Sequence, residues 1–558
     1  MRIKIIENFI FVLLGLIVVV LVYLQIIRGE HYYDQSVHNR IRVIPLEGPR
    51  GMMVDRRGTV LADSHLVYHV AVIGQDVQDQ DALFNFLSGV LKKELKNQFL
   101  KKQKTPFTPV ILAENIGRPT AIAIEENRFF YPGLVVQESY ERTYPFGSQD
   151  AHALGYVGKI DADEAEALQN YGSAFSVVGK MGVEKTYDAL LRGDSGGRQI
   201  EINSRGQEVR LLGLKNPGQG QDIQLTIDER IQEAASQLLD SRPGAVIVMD
   251  LSNGDILGIV SSPSFDPNAF YNYLHDPAAP LFNRAVAAAY PPGSVFKIPL
   301  ALAAVELKKI SPEQTFNCPG YYLLGRARFG CSHVHGPENL NQAIAHSCNV
   351  YFFHVGRMVT ARVTAQYAKA LGLGRATGVD LPFEAAGYVG GQLNSTVPHW
   401  YTGDTLNFSI GQGDTLTTPL QLTVMMAAVA DDGIILRPRI VKAINHQDLP
   451  PVDLRKLPTV RLHEATWRLI QQGLRSVVTD ETGTAHELND LTGMTVFGKT
   501  GTAQAGMNKP NHAWWVGYAR SPKSNLVFCV FLEHGGASSH AVDLARHLLL
   551  RLQQEGMI

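Results

Sequence analysis

A nearly uninterrupted apolar run extends from Phe9 to Leu24 and continues past Gln25 to Ile27. An α-helix rises about 1.5 Å per residue, so this run is just long enough to cross a bilayer core of about 30 Å. Arg2 and Lys4 precede the run, and positive charge there favours a cytoplasmic amino terminus with an exported body. The chain is therefore predicted to begin with a membrane-spanning helix.

A cleaved signal peptide is the alternative, but the apolar run is long and no Ala-x-Ala cleavage site follows it. We therefore predict an uncleaved anchor within residues 1–30, including a short cytoplasmic tail. No second hydrophobic span follows in the sequence, so we expect a single-pass protein of the cytoplasmic (inner) membrane. Nearly all of the remaining chain should lie on the extracytoplasmic side, in the periplasm.

The chain length of 558 residues exceeds what one hydrophobic core accommodates, so we expect several structural units. A hydrophobic fraction of 45% and a charged fraction of 19% are typical of a globular protein. The formal net charge of -2 gives no electrostatic reason to expect nucleic acid as a partner. The segment Pro217 to Gly220 indicates a boundary, which divides the exported part into residues 31–220 and 221–558.

The second of these parts has the pattern of an α+β domain. Asn253-Gly254 lies between two apolar runs and predicts a β-hairpin. Further strand-like runs and a closing helix follow near the carboxyl terminus, at Met494 to Phe497, Trp514 to Tyr518, Leu526 to Leu532 and Val542 to Leu552. A sheet made from both ends of the domain, with helical segments packed against it, is an α+β arrangement.

Ser294 and Lys297 lie three residues apart, just after a Pro-Pro-Gly breaker. Residues at i and i+3 share a helix face, so the amine of Lys297 can reach the hydroxyl of Ser294. A serine becomes nucleophilic when a neighbour takes its proton, and a desolvated lysine has the lowered pKa that this needs. An isolated Ser-x-x-Lys also arises by chance on exposed helices. Because Pro299 lies about one turn into the helix, we expect a distorted first turn.

Two more motifs of the same chemistry follow in order, Ser347-Cys348-Asn349 and Lys499-Thr500-Gly501. Acyl transfer needs a nucleophile, a proton route to the leaving amine and an anchor for the substrate carboxylate. Ser347 is the candidate proton relay, Asn349 is placed to hold a substrate amide, and Lys499 with Thr500 can bind the carboxylate. Gly501 has no Cβ, so backbone and substrate can approach closely beside that strand. Together the motifs predict a serine acyl-transfer site.

With these motifs the chain resembles a class B penicillin-binding protein over almost its whole length. Three clusters look like the pedestal motifs of that class and a fourth like the loop before its Lys-Thr-Gly strand: Arg50 to Asp55, Arg142 to Gly158, Gly182 to Gly193 and Gly411-Gln412-Gly413. The resemblance implies a single transmembrane helix and an elongated mixed pedestal of the dimerisation type. It also implies a transpeptidase domain with an antiparallel sheet, helices on both sides and an all-helical subdomain.

The same resemblance implies the reaction of a peptidoglycan DD-transpeptidase on stem peptides that end in D-Ala-D-Ala. Ser294 would attack the penultimate D-Ala carbonyl with Lys297 as base, and an amine of a neighbouring stem would resolve the acyl-enzyme. The backbone N–H groups of Ser294 and Thr502 would hold the oxyanion. β-Lactams would acylate the same serine.

Within the class, the chain is most similar to the elongation type, penicillin-binding protein 2, because of the insert between its first two motifs. That type works in cell-shape maintenance with a RodA-type glycosyltransferase and other membrane proteins of the elongation complex. A division-type or sporulation-type transpeptidase is the alternative within the class.

The insert and its end carry Cys318, Cys331, His335 and Cys348 in a Cys-x12-Cys-x3-His-x12-Cys series. Four such ligands match a closed tetrahedral zinc site, which would brace the Ser347 loop from behind. Elongation-type proteins have a similar zinc ligand set at the matching positions, although in some of them the ligands are two aspartates, a histidine and a cysteine. His333 is the alternative fourth ligand.

Other interpretations of the cysteines stay open at this stage. Cys318 and Cys331 could form a disulfide in an oxidising compartment, or all three could be buried thiols. Cys529, inside an apolar strand, is predicted to lie in the core. Of the three interpretations we favour the zinc site, so we expect structural zinc and no organic cofactor.

Three rival functions share part of this pattern. A carboxypeptidase or β-lactamase needs a base for deacylation, and no motif places Glu184 or Glu306 in that role. A membrane-anchored β-lactam sensor would need several membrane spans. A scaffold with a dead site is disfavoured by the intact motifs.

His152 is predicted to be a hydrogen-bonded core or interface residue.

Overall fold

The structure is a computed structural model that describes residues 2–33, 41–103, 105–106, 109–161, 163–164, 177–194, 196–202, 208–391, 399–450 and 459–558. The chain begins with helix α1 (Arg2–Val22), which continues as a π-helical turn over Tyr23–Ile27. Within the described residues, one helix, Lys4–Ile27, is long and apolar enough to cross a membrane, and none of it is buried against the rest of the protein. The predicted apolar helix is therefore present, and it fits a single-pass membrane anchor.

The amino-terminal half, here called the pedestal, is built from short strands and helices. Its strands are β1 (Ile41–Leu46), β2 (Met53–Val54), β3 (Val60–Val72), β4 (Val110–Ile116), β5 (Leu134–Thr143), β6 (Val157–Lys159), β7 (Val177–Gly179), β8 (Gly196–Ile202) and β9 (Glu208–Lys215). Its helices are α2 (Gln80–Leu91), α3 (Lys96–Lys102), α4 (Arg118–Asn127), α5 (Ala151–Leu154), α6 (Gly182–Thr186) and α7 (Asp188–Arg192). The turn that connects β2 to β3 spans Asp55 to Gly58, and Gly58 has the positive φ of 93° that suits glycine.

The carboxyl-terminal half alternates strands and helices over a longer stretch. Its strands are β10 (Ile223–Leu225), β11 (Gly244–Asp250), β12 (Ile256–Ser262), β13 (Phe316–Cys318), β14 (Tyr321–Leu324), β15 (Ala327–Gly330), β16 (Gly336–Glu338), β17 (Tyr388–Val389), β18 (Thr415–Leu416), β19 (Val441–Ile444), β20 (Gln447–Asp448), β21 (Thr495–Ala503), β22 (His512–Arg520) and β23 (Asn525–Leu532). Its helices are α8 (Glu229–Leu239), α9 (Lys297–Glu306), α10 (Leu340–Ala345), α11 (Asn349–Val359), α12 (Ala361–Ala370), α13 (Thr402–Ser409), α14 (Pro419–Ala430), α15 (Glu464–Thr479) and α16 (Ser538–Gln554).

The central sheet of this half is antiparallel, in the order β12-β11-β23-β22-β21. Helices α8 and α16 pack on it, and so does α14, all of whose residues are buried. A helix that is apolar on every side belongs inside a core, which explains the position of α14. The α+β prediction and the strands at both ends of the domain are confirmed. β21, which carries Lys499, forms the edge of the sheet.

The boundary predicted near Gly220 lies just before a strand that joins the two halves. β10 pairs in parallel with β2 of the pedestal and antiparallel with β19, so one sheet runs in the order β20-β19-β10-β2-β3-β4, with β5 also paired to β3. A second sheet, β1-β8-β9, lies within the pedestal. The two halves therefore share backbone hydrogen bonds as well as side-chain contacts.

Candidate active site

Ser294 lies on a tight turn that leads into the central helix of the catalytic half. Gly293–Phe296 forms a 3-10 helix, and α9 continues from Lys297. Pro299 is the third residue of α9, where the N–H that it lacks would have no partner within the helix. The expected distortion of the first turn is confirmed. Residues Lys297 to Ala304 are all buried, so this turn is fixed in the core.

Lys297 is only 1% exposed, and its amine is held by the second motif. Nζ donates to the carbonyl oxygen of Ser347 at 2.7 Å and to Oδ1 of Asn349 at 2.7 Å, and it lies 3.2 Å from Oγ of Ser347. Within the described part of the chain no hydrogen bond joins Nζ to Oγ of Ser294, although the two residues are one turn apart. The position of the Lys297 amine is thus set by a loop fifty residues downstream.

The backbone conformation of Ser347 directs the polar groups of this loop toward the amine of Lys297. Ser347 adopts a left-handed backbone conformation with φ of 57°, between the end of α10 and the start of α11. Such a conformation is strained for serine and is kept only where the surroundings enforce it. It turns both the carbonyl and the hydroxyl of Ser347 toward Lys297, while the side chain of Cys348 is buried in the core.

Burial is the main influence on the charge of Lys297. It lowers the pKa of the amine to about 8, against the opposing effect of nearby Cys331 and Cys348. The amine also lies 5.4 Å from the ring centre of Phe352. Among the described residues, no carboxylate forms an ion pair with Lys297. A lysine of this kind has a substantial neutral fraction near neutral pH and can accept a proton from Ser294.

Lys499 lies on the edge strand β21 and is fully buried. Its Nζ donates to the carbonyl oxygen of Thr500 at 3.3 Å. Burial, and then the like charge of Lys297, hold the pKa of Lys499 well below its usual range. Within the described residues no carboxylate pairs with either amine, so an anion bound here would be stabilised by both lysines.

Two glycines allow the serine turn to lie directly against this strand. A Cβ built on Gly293, whose φ is 56°, would lie 2.7 Å from the carbonyl oxygen of Thr502. A Cβ on Gly501 would lie 2.9 Å from the carbonyl oxygen of Pro292. Real side chains do not fit at such distances, so glycine is required at both positions. The backbone before Ser294 and the backbone at Thr502 are therefore neighbours, as an oxyanion site between them requires.

The four predicted metal ligands converge behind the same loop. The ligand atoms of Cys318, Cys331, His335 and Cys348 all lie within 4.8 Å of one another. Nδ1 of His335 lies 3.5 Å from Sγ of Cys318 and 3.6 Å from Sγ of Cys331. The cysteines are free thiols, so the disulfide alternative is not what the structure contains.

His333, the alternative ligand, instead offers its backbone oxygen to Cys318 at 3.6 Å. Sγ of Cys331 accepts the N–H of Asn349 at 3.2 Å, at the amino end of α11. The hydrogen bond from the Cys348 thiol, and further bonds from backbone amides, lower the pKa of Cys331. A thiolate is therefore favoured beside the catalytic loop. Cys529 is buried in β23 and belongs to the core, as predicted.

The remaining acids and histidine of interest lie away from the cleft. Glu184 is buried in the pedestal between two arginines, and Glu306 accepts hydrogen bonds from His463 and Thr466. His152 is buried in the core, where burial lowers its pKa to about 3. Neither glutamate is thus in the position of a deacylating base.

Sequence reasoning missed one contact of the third motif. Oγ1 of Thr484 lies 2.8 Å from Oγ1 of Thr500. Thr484 belongs to a short polar turn after α15, and no local pattern distinguishes it from an ordinary turn residue. Only the fold brings it to the Lys499 strand.

Comparison with known proteins decides the family. Residues 244–549 match the family model described as penicillin binding protein transpeptidase domain. Residues 45–225 match the penicillin-binding protein dimerisation domain. The first match alone covers more than half of the chain. The chain belongs to the penicillin-binding proteins.

Relatives and solved structures agree over nearly the whole length. This penicillin-binding protein is 32% identical to the peptidoglycan D,D-transpeptidase MrdA of Haemophilus influenzae, over 94% of this chain and 87% of the relative. It matches penicillin-binding protein 2 of Helicobacter pylori, solved in complex with MreC, with a TM-score of 0.80 and 27% identity over 93% of this chain and 100% of the other.

A third match is a structure titled as the structural coordination of polymerization and crosslinking by a peptidoglycan synthase complex. The TM-score is 0.74, with 30% identity over 99% of this chain and 98% of the other. The predicted resemblance to class B penicillin-binding proteins, and within them to penicillin-binding protein 2, is confirmed. This penicillin-binding protein is a penicillin-sensitive serine transpeptidase.

Proposed function

We propose that this protein cross-links peptidoglycan stem peptides during cell-wall elongation, through an acyl-enzyme on Ser294. The observation that carries the proposal is the buried amine of Lys297. It lies one turn from Ser294, is bonded to Ser347 and Asn349, and has no carboxylate partner in the described part of the chain. The rest of the site arranges a carboxylate anchor and an oxyanion pocket around this base.

In the acylation step, Oγ of Ser294 forms a bond to the penultimate D-Ala carbonyl carbon, and its proton passes to neutral Lys297. The oxyanion is held by the N–H groups of Ser294 and Thr502. The carbon–nitrogen bond then breaks, and terminal D-Ala leaves as an amine after taking a proton through Ser347. Lys499 and Thr500 hold its carboxylate, and Asn349 holds the amide of the stem.

In the second step the amine of a neighbouring stem attacks the ester carbon and gives up one proton to the base. The ester bond to Ser294 breaks, the hydroxyl is reprotonated, and the new amide is the cross-link. The match to the transpeptidase domain and to relatives named D,D-transpeptidase supports transfer to an amine over hydrolysis. Within the described residues no carboxylate contacts Lys297, Ser347 or Asn349, so no acidic side chain is placed there as a separate base for water.

Mass spectrometry of the full-length protein after exposure to a labelled penicillin tests the nucleophile. One label should appear on the peptide that contains Ser294, and Ser294→Ala should take up none. Absence of label on the unmutated protein would overturn the assignment. Depletion of the protein from growing cells tests the role, since loss of elongation gives rounded cells and loss of division gives filaments.

We further propose that Cys318, Cys331, His335 and Cys348 hold a structural zinc ion. Three sulfurs and one imidazole nitrogen suit tetrahedral zinc, and all four ligand atoms lie within 4.8 Å of one another. The ion would fix Cys348 and, through it, the positions of Ser347 and Asn349. It would take no part in the reaction itself.

Metal analysis of the purified protein tests this site. About one zinc per chain is expected, and Cys331→Ser should lose it. Cys529→Ser is the matched control, because Cys529 is a buried cysteine outside the cluster. A zinc-free unmutated protein, or equal zinc in Cys331→Ser, would contradict the proposal.

The apolar helix Lys4–Ile27 supports a proposal for the location and partners of the protein. We propose that the catalytic half lies outside the cytoplasmic membrane, where nascent peptidoglycan is found, and that the anchor and pedestal join a RodA-type glycosyltransferase. Related proteins have been solved with MreC and in a peptidoglycan synthase complex, which supports assembly with membrane partners. Alkaline phosphatase fused after Ile558 should be active, and co-purification with the polymerase should require the anchor.

A further inference from the structure

A short turn after α15 contacts both sides of the catalytic cleft. We call residues Asp480 to Ala485 the clasp. Thr484 donates its backbone N–H to the carbonyl oxygen of Ala345, two residues before Ser347, at 3.2 Å. Its hydroxyl lies 2.8 Å from the hydroxyl of Thr500 on the opposite side. One residue therefore links the end of α10, which leads into the second motif, to the third motif.

The clasp is itself held in place at several points. Oγ1 of Thr482 lies 2.9 Å from Nε2 of His346 and donates to Oδ1 of Asp480 at 2.7 Å. The N–H of Ala485 donates to the carbonyl oxygen of Val477 at the end of α15. A Cβ on Gly483 would lie 2.5 Å from the same oxygen, so the turn is packed tightly on the helix. Thr484 is thus presented from a rigid support.

The chemistry of two hydroxyls explains what this contact can do. Each hydroxyl has one proton to donate and two lone pairs to accept with. When Thr484 donates to Thr500, the proton of Thr500 is free to point at an anion, and the two bonds strengthen each other. Thr500 is only 2% exposed, so water offers few alternative partners.

We propose that Thr484 is a positioning residue, which orients the hydroxyl of Thr500 toward the substrate carboxylate. This rests on the proposed function, because it presumes that Thr500 contacts that carboxylate. Thr484 itself does not touch the substrate. Thr484 donates its proton to the oxygen of Thr500, so that the proton of Thr500 stays available for the carboxylate. The same contact holds the strand of Lys499 against the loop of Ser347.

Thr484→Val tests the proposal, since valine keeps the shape of threonine and removes its hydroxyl. The second-order rate of acylation by benzylpenicillin should fall about tenfold, which is the loss of one charge-assisted hydrogen bond. The loss should fall mainly on binding, as a higher KM for stem-peptide substrates with a smaller change in kcat. Thr484→Ser keeps the hydroxyl and should restore most of the rate.

A masked carboxylate separates positioning from general damage. Benzylpenicillin methyl ester lacks the carboxylate and should acylate the protein more slowly, and Thr484→Val should slow it no further, because Thr500 then has no anion to bind. Equal losses with the acid and the ester would show a merely structural role and overturn the proposal. So would an unchanged rate with the acid in Thr484→Val.

Thr479→Val is the matched control, because its hydroxyl bonds only to Arg475 within α15 and its side chain is exposed. It should acylate like the unmutated protein. If Thr484→Val fails to fold, the acid-to-ester ratio in Thr484→Ser and Thr484→Ala decides: a ratio lowered in alanine alone supports the proposal, and equal ratios contradict it. Failure of the proposed function is distinguishable, since the unmutated protein would then take up no penicillin.

Discussion

The pedestal pairs its buried charges in carboxylate–guanidinium bridges, whereas the described residues of the catalytic cleft place no carboxylate beside its two buried lysines. Glu184 is fully buried and accepts from Nη2 of Arg50 at 2.6 Å and from Nε of Arg142 at 2.6 Å. In the cleft, Lys297 and Lys499 are equally buried, and no carboxylate within the described residues pairs with either. The same cost of desolvation is thus offset in one region and left uncompensated in the other.

The difference appears directly in the ionisation of these groups. Burial raises the pKa of Glu184, but Arg142 and Arg50 reverse this and leave it lowered, so the carboxylate stays charged. Burial lowers the pKa of Lys297 and Lys499, and the second lysine is lowered further by the first. A paired buried charge fixes a fold, whereas an unpaired one is ready to exchange a proton or to bind an anion.

The largest expected effect is on chemistry without loss of stability. Lys297→Met should reduce penicillin acylation by about 10²–10⁴-fold, which is the usual contribution of a general base. The free energy of unfolding should change little, because removal of a desolvated amine offsets the loss of its hydrogen bonds to Ser347 and Asn349. Stopped-flow kinetics measures the acylation rate, and chemical denaturation measures the free energy of unfolding, both on the full-length protein in detergent. A large loss of stability would show that Lys297 is structural like Glu184.

The reverse pattern is expected for the pedestal. Glu184→Gln leaves two buried guanidiniums without a carboxylate and should destabilise the protein by about 3–5 kcal/mol. Protein that remains folded should still be acylated at Ser294. Denaturation monitored beside penicillin labelling checks this, and a selective loss of acylation in stable protein would contradict it.

Acylation should also depend on pH through Lys297. With a pKa of about 8, roughly a tenth of the amine is neutral at pH 7 and about nine tenths at pH 9, so the rate should rise close to tenfold between them. The sign follows from the base acting in its unprotonated form. A flat profile in the unmutated protein, or the same rise in Lys297→Met, would count against Lys297 as the base.

The smallest effect is expected where an ion pair faces solvent. Nη1 of Arg128 lies 3.1 Å from Oε1 of Glu125, and both side chains are about half exposed. Arg128→Ala should change the free energy of unfolding by less than about 0.5 kcal/mol and leave acylation intact. A change as large as that in Glu184→Gln would mean that burial does not explain the difference between these pairs.

Local patterns were sufficient to predict the anchor, the hairpin at Asn253-Gly254, the strands of the central sheet and the three motifs. Each depends on short-range periodicity, turn chemistry or spacing that a few neighbouring residues determine. The convergence of the cysteines with His335 also followed from their place around the Ser347 loop. These features needed no knowledge of distant contacts.

Other features could not be predicted because they depend on residues far apart in the chain. The bonds of Lys297 to Ser347 and Asn349, in place of Ser294, arise only when the left-handed turn at Ser347 is folded. Thr484 reaches Thr500 only through the packing of α15 beside β21. The pairing of β10 with β2 likewise joins segments 170 residues apart, and the local sequence of neither strand indicates which strand it pairs with.

The shared sheet between the two halves has a mechanical consequence. β2 and β10 run side by side in the same direction, and β19 extends the same sheet on the catalytic side. Because the two strands are parallel, tension along them loads the backbone hydrogen bonds between them in shear. A displacement imposed on the pedestal would therefore be passed to the catalytic half through this short stretch of paired backbone.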